Sequence, residues 1–124
     1  MLRLTARFAE EWNTWGTPEV AGDVIQKLRI ACEKEGRDPA TVRTSVQPLF
    51  FLCASDEAVE KLRPLVPADR SVLGTPSQIV DAVGQYKELG FDEICVPDFT
   101  LGNSPSERLD SYATFWNEVA VHFR

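Results

Sequence analysis

Trp12, Asn13 and Asp98 are the residues whose types and positions best suit ligand chemistry in this sequence. An indole wall beside an amide, as at Trp12 and Asn13, suits a planar ring ligand. The structural alternative is a Trp packed under a helix and an Asn that closes a turn. Asp98 could accept a hydrogen bond from a ligand hydroxyl, or it could form an Asx-turn at the end of a strand.

Other candidates for chemistry are weaker. The stretch from Gly102 to Ser104 precedes the last predicted helix, where free N–H groups and the helix dipole could hold an anion. Alternatively, Ser104 and Glu107 form a capping box that satisfies those donors. The only histidine, His122, lies off the apolar stripe of that helix and is expected to be solvated. There is no Gly-x-Gly-x-x-Gly segment and no phosphate-binding P-loop.

Composition excludes several classes of protein. The 124 residues are expected to form a single domain over 1–124, with 44% hydrophobic and 26% charged residues. A net charge of −6 argues against a nucleic-acid partner. No apolar run approaches the ~18 residues of a membrane helix, and no secretory signal is visible. Cys32, Cys53 and Cys95 have no metal-site or disulfide spacing, so we expect no metal and a reduced, cytoplasmic protein.

The elements that would position these residues alternate between strands and helices. Strands are predicted around 11–13, 44–52 and 93–97, and Pro48 suggests a bulge or an edge in the second of them. Helices are predicted over 2–9, 18–34, 56–63, 76–89 and from 105 to about 123, and the stretch 64–71 reads as an irregular connection. This order indicates an α/β fold with parallel strands. Because sites in such folds lie at the carboxyl ends of strands, three places qualify: 12–15, 52–53 and 97–100.

Two helix patterns are specific enough to test. The helix over 76–89 has an inner stripe of Ile79, Val83 and Tyr86. The last helix has an apolar stripe at i, i+3, i+4 spacing, made of Leu109, Tyr112, Ala113, Trp116, Val119, Ala120 and Phe123. The first helix begins at Met1 without a capping residue, which suggests that further chain precedes it.

Four segments resemble the luciferase-like monooxygenase family, in the order in which that family has them. Residues 2–13, LRLTARFAEEWN, resemble the family's helix of the type L-R-L-x-A-R-Y-A followed by A-D-x-W-N. Residues 74–79, GTPSQI, resemble its G-T-P-E-Q-V helix start, and 32–39, CEKEGRDP, are also similar. Residues 90–102, GFDEICVPDFTLG, resemble the penultimate strand and loop, which often read D-E-F-I-V-P-D-F-T-L-G in deazaflavin-dependent members.

This resemblance implies the C-terminal portion of a (β/α)₈ TIM barrel, about its last three β/α units, with helices outside. It implies an oxidoreductase or monooxygenase that uses FMN or the deazaflavin coenzyme and acts on a small molecule. Carried over to this sequence, it places Trp12, Asn13, Pro97 and Asp98 near the cofactor. In the family, a glycine-rich segment just before the Leu2-Arg3-Leu4 helix also helps to bind the cofactor, and this sequence does not contain it.

Two hypotheses therefore stand. The chain is either a fragment of such an enzyme that is inactive alone, or a non-catalytic assembly module that forms homo-oligomers through its open sheet edges. The sequence leaves open whether this chain is itself an enzyme.

Overall fold

The computed structural model describes Met1–Arg124 and has strands that alternate with helices. The strands are β1 (Glu11–Thr14), β2 (Arg43–Val46), β3 (Leu49–Leu52), β4 (Ser71–Gly74) and β5 (Glu93–Ile94). The α-helices are α1 (Leu2–Phe8), α2 (Pro18–Lys34), α3 (Asp56–Leu62), α4 (Pro76–Leu89) and α5 (Pro105–Thr114). None of the helices combines the length and the apolarity needed to span a bilayer.

All strand pairings are parallel, and they form two separate sheets. The larger sheet has the order β1-β2-β5, and the smaller one pairs β3 with β4. In the larger sheet Asn13, Ser45 and Glu93 lie in one row across the three strands. The parallel α/β class predicted from the sequence is confirmed. The larger sheet does not close into a barrel, so β1 and β5 each have one unpaired edge.

The prediction of a single strand over 44–52 is wrong, because the chain passes from the larger sheet to the smaller one at Gln47 and Pro48. The N–H of Gln47 still donates to Thr14 of β1, whereas the N–H of Leu49 donates to Arg70, just before β4. Pro48 lies between them and has no N–H to place in either ladder. The interruption that Pro48 suggested is therefore present as a switch between two partner strands.

The stretch 64–71 is not wholly irregular as predicted, because strand β4 begins within it at Ser71. The sequence of β4, Ser-Val-Leu-Gly, shows no alternation long enough to predict a strand. Its extended conformation follows from its position beside β3, with Val72 in register with Phe50. Pairing between distant segments fixed this element, and such pairing is not visible in local sequence.

The helices over 18–34 and 76–89 are confirmed, together with the residues that begin and end them. The hydroxyl of Thr17 accepts the N–H of Val20 at 3.4 Å, and Pro18 takes the first helical position. At the second helix the N–H of Thr75 donates to the side chain of Gln78 at 3.0 Å. Gly90 then ends α4 with φ at +94°, a conformation that favours glycine.

The prediction of one long final helix is only partly correct. The α-helical geometry of α5 stops at Thr114, and a π-helical turn (Phe115–Val119) and a 3₁₀ turn (Ala120–Phe123) follow. Phe115 and Val119 are buried while Trp116 is exposed, and in α5 the half-buried residues are Arg108, Ser111 and Thr114, so the inward side of this segment differs from the predicted stripe. Leu109, also predicted to face the core, is 70% exposed.

The main hydrophobic core lies between the two sheets and helices α2, α4 and the C-terminal turns. Its most deeply buried side chains are Ile25, Val46, Phe50, Ile79, Tyr86 and Val119. A second, smaller core joins α1 to α2 and consists of Ala6, Leu28, Cys32 and Val42. The predicted inner stripe of α4, Ile79, Val83 and Tyr86, is buried in the main core as expected.

Candidate functional site

The three-stranded sheet has one face covered by helices and one open face. Side chains alternate along a strand, so neighbours in sequence point to opposite faces. Thr44 and Val46 are buried on the covered face, whereas Arg43 is exposed on the other. The open face, as we call it from here, consists of Glu11, Asn13, Arg43, Ser45 and Glu93.

Polar contacts link the strands across the open face. The amide nitrogen of Asn13 donates to the hydroxyl of Ser45 at 2.8 Å. Arg43 lies between two carboxylates, at 2.6 Å from Glu93 and 3.6 Å from Glu11. The open face therefore has an ion-pair layer towards the amino ends of β1 and β2, followed by a neutral amide–hydroxyl pair nearer the carboxyl ends.

Trp12 and Asn13 lie on opposite faces of β1. Trp12 packs against both hydrophobic cores, on the covered face. The exposed indole at this end of the sheet belongs instead to Trp15, just after β1, where the Arg70 guanidinium lies 4.7 Å from its ring centroid. Trp15 lies in the place 12–15 that the sequence selected, but only Trp12 and Asn13 of that place were singled out as ligand contacts. Its odd number, shared with Asn13, was the signal that could have identified it.

Pro97 and Asp98 lie in the loop between β5 and α5, beyond the carboxyl end of β5. Three side chains of α5 donate to carbonyl groups around this loop. Tyr112 donates to Val96 at 3.0 Å, Ser111 to Leu101 at 2.6 Å and Arg108 to Gly102 at 3.1 Å. Helix α5 therefore braces the loop that carries both predicted site residues.

The loop also retains unused polar groups. The hydroxyl oxygen of Thr100 is buried and has no hydrogen-bond partner. Asp98 is exposed, and its backbone carbonyl accepts the N–H of Leu101 at 3.0 Å while its carboxylate makes no hydrogen bond. The predicted Asx-turn is therefore absent, and the Asp98 carboxylate is free for another donor.

Asn13 and Asp98 lie at different depths on the same end of the sheet. The carboxyl ends of parallel strands share one edge, so both strands lead to one mouth. Asn13 is in register with Glu93, and Asp98 follows Glu93 by five residues, which corresponds to at most about 18 Å of extended chain. Asn13 therefore lies within the sheet face and Asp98 in the loop beyond it, and no hydrogen bond joins the two residues.

The remaining predicted place, at Leu52 and Cys53, lies at the end of a strand of the smaller sheet. Cys53 follows β3 and its N–H donates to the carbonyl of Gly74. Burial raises the pKa of the Cys53 thiol, and a backbone hydrogen bond from Gly74 partly offsets this. A thiol that stays protonated is a poor nucleophile, so this position gives no support for covalent chemistry.

The helix start at Gly102–Ser104 satisfies its own donors. The hydroxyl of Ser104 accepts the N–H of Glu107 at 3.2 Å, and the Glu107 carboxylate accepts the N–H of Asn103 at 2.6 Å. This is the capping alternative rather than the anion site. The structure also contains no group of three or more His, Cys, Asp and Glu side chains suited to a metal ion.

Three groups at this end of the sheet are of types that a planar, hydrogen-bonding ligand could use. The Trp15 ring offers an aromatic surface, Asn13 offers an amide and Asp98 a free carboxylate. Asn13, Pro97 and Asp98 line none of the five cavities of about 330–430 Å³ described for this structure, and we treat the mouth as an open surface. Groups to hold a cofactor phosphate are not evident there, because the one nearby helix start is self-capped.

Comparison with known proteins gives similarity in structure only. No protein-family model and no curated protein matches the sequence. Among solved structures, the coenzyme F420-dependent tetrahydromethanopterin reductase from Methanopyrus kandleri matches all of this chain with a TM-score of 0.74 at 14% identity. The EDTA monooxygenase from Chelativorans sp. BNC1 and a long-chain alkane monooxygenase each match 98%, with TM-scores of 0.65 and 0.64 at 14% and 15% identity.

The chain spans less than half of each of these structures: 48% of the reductase, 41% of the EDTA monooxygenase and 38% of the alkane monooxygenase. At such low identity, the similarity shows the fold and nothing finer. The chain is therefore a mixed α/β structure with parallel strands that matches part of the fold of these reductases and monooxygenases.

Proposed function

We propose that this chain is the C-terminal part of a flavin- or deazaflavin-dependent oxidoreductase of the luciferase-like monooxygenase family, and that it is inactive alone. The observation that carries the proposal is the match of the whole chain to about half of an F420-dependent reductase. The sequence resemblances at 2–13 and 90–102 support the same family from independent evidence.

In this proposal the chain forms one wall of the cofactor site. Asn13 offers hydrogen bonds to the ring edge, and its contact with Ser45 fixes the orientation of its amide. Pro97 and Asp98 contact the cofactor from the rim, on a loop that α5 holds in place. Trp12 supports this wall from behind, because it packs against the cores under β1.

The cofactor, when bound, would supply hydride transfer or oxygen activation, and the residues of this chain would bind and orient it. An open mouth does not exclude water, and water exclusion strengthens the electrostatic contacts on which such sites depend. This is the physical reason for proposing that the isolated chain binds without turnover.

A fluorescence titration with FMN and with the deazaflavin coenzyme tests the proposal. We expect saturable binding of one of them, and no consumption of the reduced cofactor with any substrate offered. The better ligand would identify the subfamily. No binding of either at millimolar concentration would overturn the cofactor proposal for this chain.

Substitutions at the proposed contacts, with one control, test whether the cofactor binds at this mouth. Asn13→Ala and Asp98→Ala should each weaken binding by about tenfold, as expected for a lost hydrogen bond to a polar ligand group. Glu60→Ala is the control, because Glu60 is an exposed carboxylate on α3, far along the chain from the mouth. An equal loss with all three variants would mean that binding is not at this mouth.

A second candidate is a non-catalytic assembly module that self-associates through its open sheet edges. The outer strands β1 and β5 each lack a partner on one side. Exposed apolar side chains lie on the adjacent helices, namely Leu4 and Phe8 on α1 and Leu109 on α5. Unpaired edges beside apolar surface favour association.

Sedimentation analysis separates the two candidates. The assembly module predicts a defined oligomer that persists at micromolar concentration and has no cofactor affinity. Leu4→Lys together with Phe8→Glu should then convert it to a monomer. A chain that is monomeric and binds a cofactor would exclude this candidate.

A further inference from the structure

A cavity of about 400 Å³ lies between α4, β5 and the C-terminal turns, and its lining includes none of Asn13, Pro97 and Asp98. Its walls are mainly apolar and include Val83, Ile94, Val96 and Phe115. Ile94 of β5 and Val96 in the loop that follows it both pack against the main core. Volumes of ~300–1,000 Å³ are typical of small-molecule pockets.

The acidic groups around this cavity have hydrogen-bond or ion-pair partners, whereas the basic groups form no ion pairs. The carboxylate of Asp92 accepts two hydrogen bonds from Thr44, at 2.8 and 3.2 Å. The carboxylate of Glu93 is paired with Arg43 on the open face. Both acidic groups are therefore held towards β2 and already have partners.

The basic groups have no such partners. The ammonium of Lys87 makes no ion pair and lies 6.0 Å from the centroid of the Phe123 ring, at the cavity wall. Arg124, which also lines the cavity, lies over the ring of Trp116 at 4.7 Å. A mainly apolar cavity that is open to solvent, with an exposed and unpaired cation at its rim, is complementary to an apolar tail with an anionic head group.

We propose that this cavity binds an anionic amphiphile, of the class of medium-chain carboxylates. The tail occupies the space between Val83, Val96 and Phe115, and the carboxylate pairs with Lys87. The site is separate from the mouth formed by Asn13 and Asp98, so it stands whether or not the chain binds a redox cofactor.

The test is calorimetric titration of the chain with three ligands that share a tail: decanoate, decanol and decyltrimethylammonium. We expect decanoate to bind at least about threefold more tightly than decanol, which is the scale of one partly exposed ion pair. The cationic ligand should bind most weakly. The net charge of −6 attracts cations to the protein as a whole. Non-specific electrostatic binding would therefore give the opposite order of affinities.

Variants assign the binding to the cavity. Lys87→Glu should reverse the preference between decanoate and decyltrimethylammonium, and it changes only an exposed side chain. Lys61→Glu is the matched control, because Lys61 lies on α3 and lines no part of the cavity, and it should leave the preference unchanged. Ala120→Trp fills the cavity and should abolish binding of all three ligands, with thermal unfolding used to confirm that it folds.

Three results would overturn the proposal. The first is equal binding of the three ligands, which would show that the head group is not recognised. The second is decanoate binding that survives in a folded Ala120→Trp variant, which would place the site elsewhere. The third is an unchanged preference in Lys87→Glu, which remains informative even if Ala120→Trp fails to fold.

Discussion

The covered face and the open face of the sheet β1-β2-β5 differ in chemistry although they share the same backbone. On the covered face Val46 is fully buried and Trp12 packs against both cores. On the open face Arg43 forms ion pairs and Asn13 bonds to Ser45. Parallel sheets are normally buried on both faces, with near-continuous apolar strands. Here the strands alternate, so only one face is built for packing.

The difference means that one face of the sheet provides packing and the other presents polar groups. The interiors of (β/α)₈ barrels are mostly filled with Val, Ile and Leu, whereas the open face carries none of them. Polar groups on a sheet face need partners, either among themselves or from a ligand or water. The open face therefore suits ligand contact, and the folding free energy is expected to come almost entirely from the covered face.

Val46→Ala is expected to have the largest effect. Val46 is 0% exposed within the main core, and removing two methyl groups there should lower the free energy of unfolding by about 2–3 kcal/mol. Urea unfolding followed by circular dichroism measures this. Ser45→Ala, one residue away on the open face, is the control and should cost less than about 1 kcal/mol. Equal costs at the two positions would contradict the difference between the faces.

Tyr86→Phe removes a buried hydrogen bond made by a side chain of the main core. The buried Tyr86 hydroxyl donates to the carbonyl of Gly16 at 2.6 Å and so ties α4 to the turn after β1. Its removal leaves a carbonyl without that donor and should cost about 1–2 kcal/mol at neutral pH. Tyr112→Phe is the control, because the Tyr112 hydroxyl bonds to Val96 in an exposed setting.

The same tyrosine gives the stability a pH dependence. Burial raises the pKa of Tyr86 well above its usual value. The unfolded chain then loses this proton from about pH 10 upward while the folded chain keeps it, so folding becomes less favourable as pH rises. Above pH 10 the free energy of unfolding should fall by up to about 1.4 kcal/mol per pH unit more in the parent than in Tyr86→Phe. Parallel curves for the two proteins would contradict the burial of this hydroxyl.

Local sequence was sufficient for the features that depend on neighbours along the chain. The caps at Thr17 and Thr75 and the stop at Gly90 are set by side-chain reach and by the left-handed conformation that glycine tolerates. The parallel α/β class followed from the alternation of strands and helices. These features need no knowledge of distant contacts.

Features that depend on distant contacts were predicted poorly. The switch at Pro48 and the strand at Ser71 arise because the chain leaves β1 after Gln47 and then pairs, as β3, with β4. In the candidate site, alternation along β1 puts Trp12 and Trp15 on opposite faces, but which of those faces the helices cover could be assigned only from the structure. The π turn at Phe115 similarly depends on what the last helix packs against, which an ideal helical period does not describe.

Arg43→Ala is expected to have the smallest effect, and it tests whether the open face is in water. The side chains of Arg43 and Glu93 are 56% and 51% exposed, and ion pairs at such exposure contribute at most about 1 kcal/mol. The variant should therefore change the free energy of unfolding by less than that, and most of the change should disappear in 1 M salt because exposed charges are screened. Leaving Glu11 and Glu93 without their shared cation in a buried site would cost about 3–5 kcal/mol and would persist in salt. A loss of that size would mean that a second polypeptide covers this face in solution, and it would favour the assembly module over the open cofactor wall.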